Sequence, residues 1–201
     1  MIPTTYDSDT ELSAVNTILG VIGQSPITTL DFDNPEISFA YNLLMNTSQD
    51  VQAEGWVFNK ETNYPFTPNS DNEIILPANI LQMDFSDDPV YRTQDVIRRD
   101  GKLYDKKNHT YKFSGILHCD ITWEFPFTDL PPCFKRYIAL RAARQAAAQM
   151  IGNPEAYKYA ADAEGVARAA CVEYECNQGD YSYFGFEGGY SAYQPFKALA
   201  R

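Results

Sequence analysis

Few residue patterns in this 201-residue chain could do chemistry, and each is thin. Acidic neighbours come first: Asp84 with Asp87 and Asp88, and Glu124 with Asp129. Two carboxylates held roughly 5 or 6.5–9.5 Å apart can hydrolyse a glycosidic bond. A chain with 27 Asp and Glu produces such neighbours by chance, however. His109 and His118 have no nucleophile or orienting acid beside them in sequence, and His118 falls in a run that reads as a strand. Cys119, Cys133, Cys171 and Cys176 form no CxxC pair. With two histidines at no ligand spacing, zinc is not indicated, and the cysteines read as buried or free thiols. Phosphate-cradling, dinucleotide-binding, zinc-protease and nucleophile-elbow motifs are all missing. The expectation is a protein that is not an enzyme and has no cofactor or metal.

Two clusters point instead to contact with partners. Arg98, Arg99 and Lys102 flank an Asp100-Gly101 turn, with Lys106 and Lys107 close behind. So basic a group in an acidic protein suits an acidic neighbour, although a solvated hairpin tip would look the same. The second cluster is the C-terminal stretch from Gly179 to Arg201. It carries Tyr181, Tyr183, Phe184, Phe186, Tyr190, Tyr193 and Phe196 between glycines. Disordered tails are usually poor in aromatics, whereas rings are enriched in interface cores because they give large contact area at low entropic cost. The tail therefore reads as a segment that orders against a partner, the alternative being a terminus packed on its own domain.

Charge narrows the class further. Sixteen Lys and Arg against 27 acids give a net charge of −11, unsuited to gripping phosphates. The imbalance is local: residues 1–59 hold eight acids and no Lys or Arg. The composition, 44% hydrophobic and 14% aromatic, is that of a globular chain. No apolar run is long enough to span a membrane, and no signal peptide is readable at the N-terminus.

The elements that must position these residues follow from spacing. Ser8 with Glu11 forms a capping box ahead of Leu12, Val15, Ile18, Leu19 and Ile22 at helical intervals, with Gly23 as a left-handed stop. Ile27 to Leu30 reads as extended. Asn34-Pro35 starts a second helix, with Ala40, Leu44, Thr47 and Val51 on one face and Gly55 closing it. From Trp56 prolines multiply and short apolar runs, Glu73–Leu76 and Asn79–Leu81, lie between turns. Val96–Tyr104 reads as a hairpin on a type I′ Asp-Gly turn. Ile116–Phe125 alternates as a half-covered strand, with Thr122 and Glu124 outward. Helix returns from about Cys133 to Ile151, and from Asn153-Pro154 to about Asn177. Thirteen alanines fall between Ala139 and Ala170, which favours closely approaching helices, and Gly165 suggests a close crossing there, the alternative being a tolerated surface glycine. The expected fold class is α+β: an antiparallel helical bundle from N- and C-terminal helices with an inserted antiparallel β domain projecting from one end. The boundaries read as 1–55 and 130–178 for the bundle halves, 56–129 for the insert and 179–201 for an extended tail.

Several segments carry a family resemblance. Glu11-Leu12-Ser13-Ala14-Val15-Asn16-Thr17-Ile18-Leu19 and Ile22-Gly23-Gln24-Ser25-Pro26-Ile27-Thr28-Thr29-Leu30 resemble the opening of tail tubular protein A of T7-like podoviruses. So do Glu54-Gly55-Trp56-Val57-Phe58-Asn59, Asp129-Leu130-Pro131-Pro132-Cys133-Phe134-Lys135-Arg136-Tyr137-Ile138, Gly152-Asn153-Pro154-Glu155 and Glu173-Tyr174-Glu175. These segments fall across both helical halves, which together make up about half the chain. The resemblance implies a virion tail protein, assembled in the host cytoplasm: a dodecameric adaptor or gatekeeper ring between the portal protein and the tail nozzle, tubular protein B. It also implies help in anchoring the tail fibres, and viral DNA passing through the channel during ejection without specific binding or any membrane role. A neck or head-completion adaptor of another phage lineage is the alternative, and a carbohydrate hydrolase using the paired carboxylates is a more distant one.

Overall fold

In a computed structural model the described residues are 10–86, 95–151 and 154–179. They form a mixed α+β chain that divides into two compact units. The first comprises the described residues within Met1–Glu54 and Phe125–Glu175; the second comprises those within Gly55–Glu124 and Cys176–Arg201.

The first unit is helical. Helix α1, Glu11–Val21, starts one residue after Thr10, whose hydroxyl accepts from the Ser13 amide at 3.2 Å. Thr10 is thus the N-cap, which places Glu11 at the first helical position rather than the third, where a capping box with Ser8 would need it; Ser8 itself lies outside the described residues. A hydroxyl two residues nearer the apolar run satisfies the orphan amide. At the other end Gly23, at φ +83°, closes the helix as expected. Gln24 donates to the Leu19 carbonyl at 2.9 Å and Gly23 to Gly20 at 3.2 Å, the paired bonds of a Schellman motif. The extended stretch expected at Ile27–Leu30 is not a strand. Only Ile27 is clasped, by both ends of the Asn16 amide at 2.8 and 2.9 Å.

Helix α2, Pro35–Ala53, has the expected Asn34 cap, 2.9 Å from the Glu36 amide, and buries Ala40, Leu44, Thr47 and Val51 along one face. A short 3-10 turn at Phe127–Asp129 leads to helix α3, Pro132–Ala146, whose end widens into a π-helical segment, Ala147–Ile151. Helices α1, α2 and α3 pack pairwise on one another. Val15, Ile18, Leu44, Val51, Phe134 and Ile138 interlock there with Ala142, Ala143 and Ala146, all fully buried. Helix α4, Pro154–Gln178, buries only Ala160, Ala167 and Cys171. The close crossing expected at Gly165 does not occur: a Cβ built there meets nothing within 4 Å. Gly165 is a surface glycine, and alanines supply the close approach instead.

The second unit is β. Strands β1 (Lys60–Phe66), β5 (Leu117–Trp123) and β2 (Ile80–Phe85) form an antiparallel sheet in the order β1-β5-β2, while β3 (Val96–Arg99) and β4 (Lys102–Asp105) form the expected hairpin. Asp100 and Gly101 both have positive φ, 53° and 70°, as a type I′ turn requires. The run from Glu73 to Leu76 makes only isolated bridges, Glu73 to Lys112 and Ile75 to Lys102, before Pro77 ends it. In β5 the outward position expected for Thr122 is wrong. Thr122 is buried at 5%, because Gly55 passes over it; a Cβ on Gly55 would lie 3.5 Å from its hydroxyl. Ile121 and Trp123 are buried as expected.

Each unit carries one amide clasp across a long sequence gap. In the helical unit Gln52 accepts from the Phe125 amide at 2.8 Å and donates to the Phe125 carbonyl at 3.0 Å and the Ser48 hydroxyl at 3.1 Å. In the β unit buried Asn59 accepts from the Trp56 amide and donates to the Trp123 carbonyl, each at 2.8 Å. Truncation at Gln52 leaves two backbone groups of Phe125 without their partner in a largely dry site, where each unmet group costs about 1–3 kcal/mol. Gln52→Ala should therefore lower stability in urea unfolding by about 2–4 kcal/mol. Gln52→Glu should cost least at low pH, where a protonated carboxyl still donates and accepts, and more as pH rises and a charge is forced into the buried site.

Candidate functional site

The basic residues singled out by spacing gather on the β3–β4 hairpin, but two of the three are already engaged. The hairpin buries Val96 and Leu103 on one face. Arg98 donates to the carbonyls of Ala78 and Ile80 at 3.2 and 3.4 Å, tying the hairpin to the start of β2. Lys102 pairs with Glu73 at 2.5 Å, and this bond holds its ammonium pKa above the ordinary value. Lys106 pairs with Asp95 at 2.7 Å. Arg99 differs: its guanidinium lies over the Tyr104 ring, 4.2 Å from the centroid, and is otherwise open to solvent.

Cross-strand register places Ile97 beside Tyr104 and Arg99 beside Lys102, so these side chains share the outer face. Tyr111 extends it: its ring is 4.8 Å from that of Tyr104, and its hydroxyl donates to Asp100 at 3.1 Å. Partial burial, then that bond, raises the Tyr111 phenol pKa. The result is a cation–aromatic face made of Ile97, Arg99, Tyr104 and Tyr111. Residue spacing flags the cations but misses Tyr111, because only the Asp105–Thr110 loop brings it alongside Tyr104.

That loop is organised by one carboxylate. Asp105 accepts from the Lys107 and Asn108 amides at 2.8 and 3.1 Å through Oδ1, and from the Asn108 side chain at 2.7 Å through Oδ2. Burial alone would raise its pKa, but these bonds and the Lys107 charge outweigh it and hold the carboxyl below its ordinary value.

The remaining candidates for chemistry do not assemble. Asp84 faces Asp120 across β2 and β5, but Asp120 Oδ1 is spent on the Ser86 hydroxyl at 2.8 Å and on the amide of Asn63 at 3.0 Å, a bulge residue at φ 57°. Asp87 and Asp88 lie outside the described residues, as do Tyr181, Tyr183, Phe184, Phe186, Tyr190, Tyr193 and Phe196 of the tail. Burial pushes the thiols of Cys119 and Cys171 up to about 12, which suppresses the reactive thiolate. Among the described residues no cluster of His, Cys, Asp or Glu could hold a metal, and no helix is long and apolar enough to cross a membrane.

In the helical unit the polar cluster ties helices together. Glu54 pairs with Arg141 at 2.8 Å and Arg168 at 3.1 Å, and both arginines donate to the buried Tyr137 hydroxyl, at 3.1 and 2.6 Å. Arg144 pairs with Glu164 and donates to Tyr157 at 2.8 Å.

The chain belongs to the tail tubular protein family, whose model matches residues 12–181. It is 28% identical over 170 residues to tail tubular protein A of Klebsiella phage KP34, across 84% of this chain and 88% of that protein. It is thus a structural component of a phage tail.

The low Asp105 pKa fixes the sign of a pH effect. Its contribution to stability is fully present above the unfolded value near 3.8 and is lost as pH falls through the lower folded value. Asp105→Asn should cost about 1–2 kcal/mol at pH 7, and the gap from the native chain should close as urea midpoints are followed from pH 5 down to 2.5.

Proposed function

We propose that the protein is the adaptor, or gatekeeper, ring of the tail, joining the portal protein to the tail nozzle. Copies of the chain close into a dodecamer, the outer surface helps anchor tail fibres, and DNA leaves through the central channel. Assembly takes place in the host cytoplasm. Membership of the tail tubular family across most of the chain carries this reading. The charge supports it: −11 per copy, summed around a ring, repels a duplex bearing one phosphate per about 1.7 Å of axis, so DNA passes without sticking.

Two surfaces serve the partners. The cation–aromatic hairpin face meets an acidic neighbour, and Arg99 is the residue with which to probe it, since Arg98 is committed to backbone carbonyls. The aromatic tail anchors the portal. Ordering such a segment costs roughly 1–2 kcal/mol per residue. One buried ring of about 150–250 Å² returns several kcal/mol at about 25 cal/mol per Å², so several rings offset a short docked stretch.

Electron microscopy of the purified protein mixed with its portal tests the reading. A closed dodecameric ring seated on the portal is the expected result, and an absence of ring density at saturating portal overturns it. A chain ending at Gln178 should keep its thermal midpoint within about 2 °C, equivalent to less than 1 kcal/mol, yet no longer join the portal. Unfolding of that shortened chain would mean the tail packs on its own domain.

A further inference from the structure

The helical unit carries a knob and a hole of opposite charge. The knob is the loop before α2. Phe32 stands 53% exposed, touched edge-on by Tyr41 at 4.9 Å, and Asp31 and Asp33 flank it, both exposed. The loop is preformed: the Asp33 amide donates to Asp31 Oδ1 at 3.1 Å, and Asn34 donates to the Asp31 carbonyl at 3.3 Å. A large ring held rigidly in water costs little further entropy when it docks.

The hole is a groove of about 410 Å³ between α1 and α3. Ala14, Phe127, Ala139 and Leu140 give it an apolar side, Thr10, Ser13 and Thr17 add hydroxyls, and Lys135 and Arg136 complete the lining. Neither cation makes an ion pair with a described residue. Helix α3 also begins at Pro132 with no side-chain cap and no acid in its first turn, which adds positive potential at that end. None of the knob residues lines the groove of its own chain.

We propose that Asp31-Phe32-Asp33 of one copy docks into the α1–α3 groove of the next, the ring against the apolar side and the two carboxylates against Lys135 and Arg136. Knob and hole are different surfaces of one chain, so the contact is heterologous, and repetition closes a ring or grows a filament. The charge match selects the occupant: the N-terminal 59 residues have no cation, and the groove lining has two. This inference rests on the ring-forming reading and names the surfaces that would build it.

Charge exchange tests it on the full-length protein, with and without portal, by native mass spectrometry and sedimentation. A knob variant (Asp31→Lys with Asp33→Lys) and a groove variant (Lys135→Glu with Arg136→Glu) should each lose self-association about tenfold or more. An equimolar mixture should restore it, because each reversed surface then meets a reversed partner. Phe32→Ser should weaken association with all charges intact, which guards against charge variants that fold poorly. Rings from the native chain that persist in both charge variants and in Phe32→Ser overturn this contact while leaving the ring itself standing. A native chain that never self-associates, even on the portal, overturns both.

Discussion

The chain must leave the helical unit after Glu54 and return to it at Phe125, and the whole arrangement depends on holding those two points together. Closing a flexible span of this length costs on the order of 4 kcal/mol beyond a constant. The Gln52 side chain offsets part of that cost by presenting one acceptor and one donor to the backbone of Phe125, as a neighbouring strand would. Inside the β unit the Asn59 side chain bridges two points, accepting from the Trp56 amide and donating to the Trp123 carbonyl. Both are amides, which offer a donor and an acceptor on separate atoms and bring no charge into a buried site.

With the ends fixed, the helical unit divides its work between apolar and ionic contacts. The α1–α2–α3 core packs large apolar side chains against alanines, which brings helix axes close. Helix α4 buries only three residues and relies on ion pairs, from Glu54 to Arg168 and from Arg144 to Glu164, together with the edge-on contact of Tyr174 with Phe134 at 5.8 Å. The ion pairs are partly solvated, and pairs of that kind contribute modestly and fade with salt. Helix α4 is therefore held less firmly than the three-helix core.

What could be read from residues alone was what is decided locally. Asn34-Pro35, Gly23, Gly55 and Asp100-Gly101 each dictate their own backbone, and each behaves as its type requires. The apolar stripe of α2 follows the 3.6-residue period and is buried as a stripe. Contacts across the fold were not legible. Strand β1, Lys-Glu-Thr-Asn-Tyr-Pro-Phe, lacks alternation because a bulge at Asn63 interrupts its register with β5. Thr122 looked solvent-facing because nothing in its own strand reveals Gly55 above it. The hairpin cations were visible as a cluster, yet their partners, Glu73 and two carbonyls, come from other segments and leave Arg99 as the cation stacked on an open aromatic face. Phe32 passed unnoticed because a lone phenylalanine between aspartates has no periodicity to report.

The charge segregation along the sequence also sets an order of events during synthesis. Glu54 finds its two arginines 87 and 114 residues later in the chain, and the acidic N-terminal helices have no cation of their own to pair with. The strands and the Asn59 clasp of the β unit, by contrast, need nothing beyond Glu124. As the chain emerges, the strands of the sheet and the hairpin are complete first. Helices α1 and α2 must wait for α3 and α4, roughly 3–10 s at bacterial rates of elongation. During that interval the N-terminal segment is acidic and self-repelling, with an unfilled apolar stripe. Its like charges work against premature pairing with other nascent chains until the fold can close.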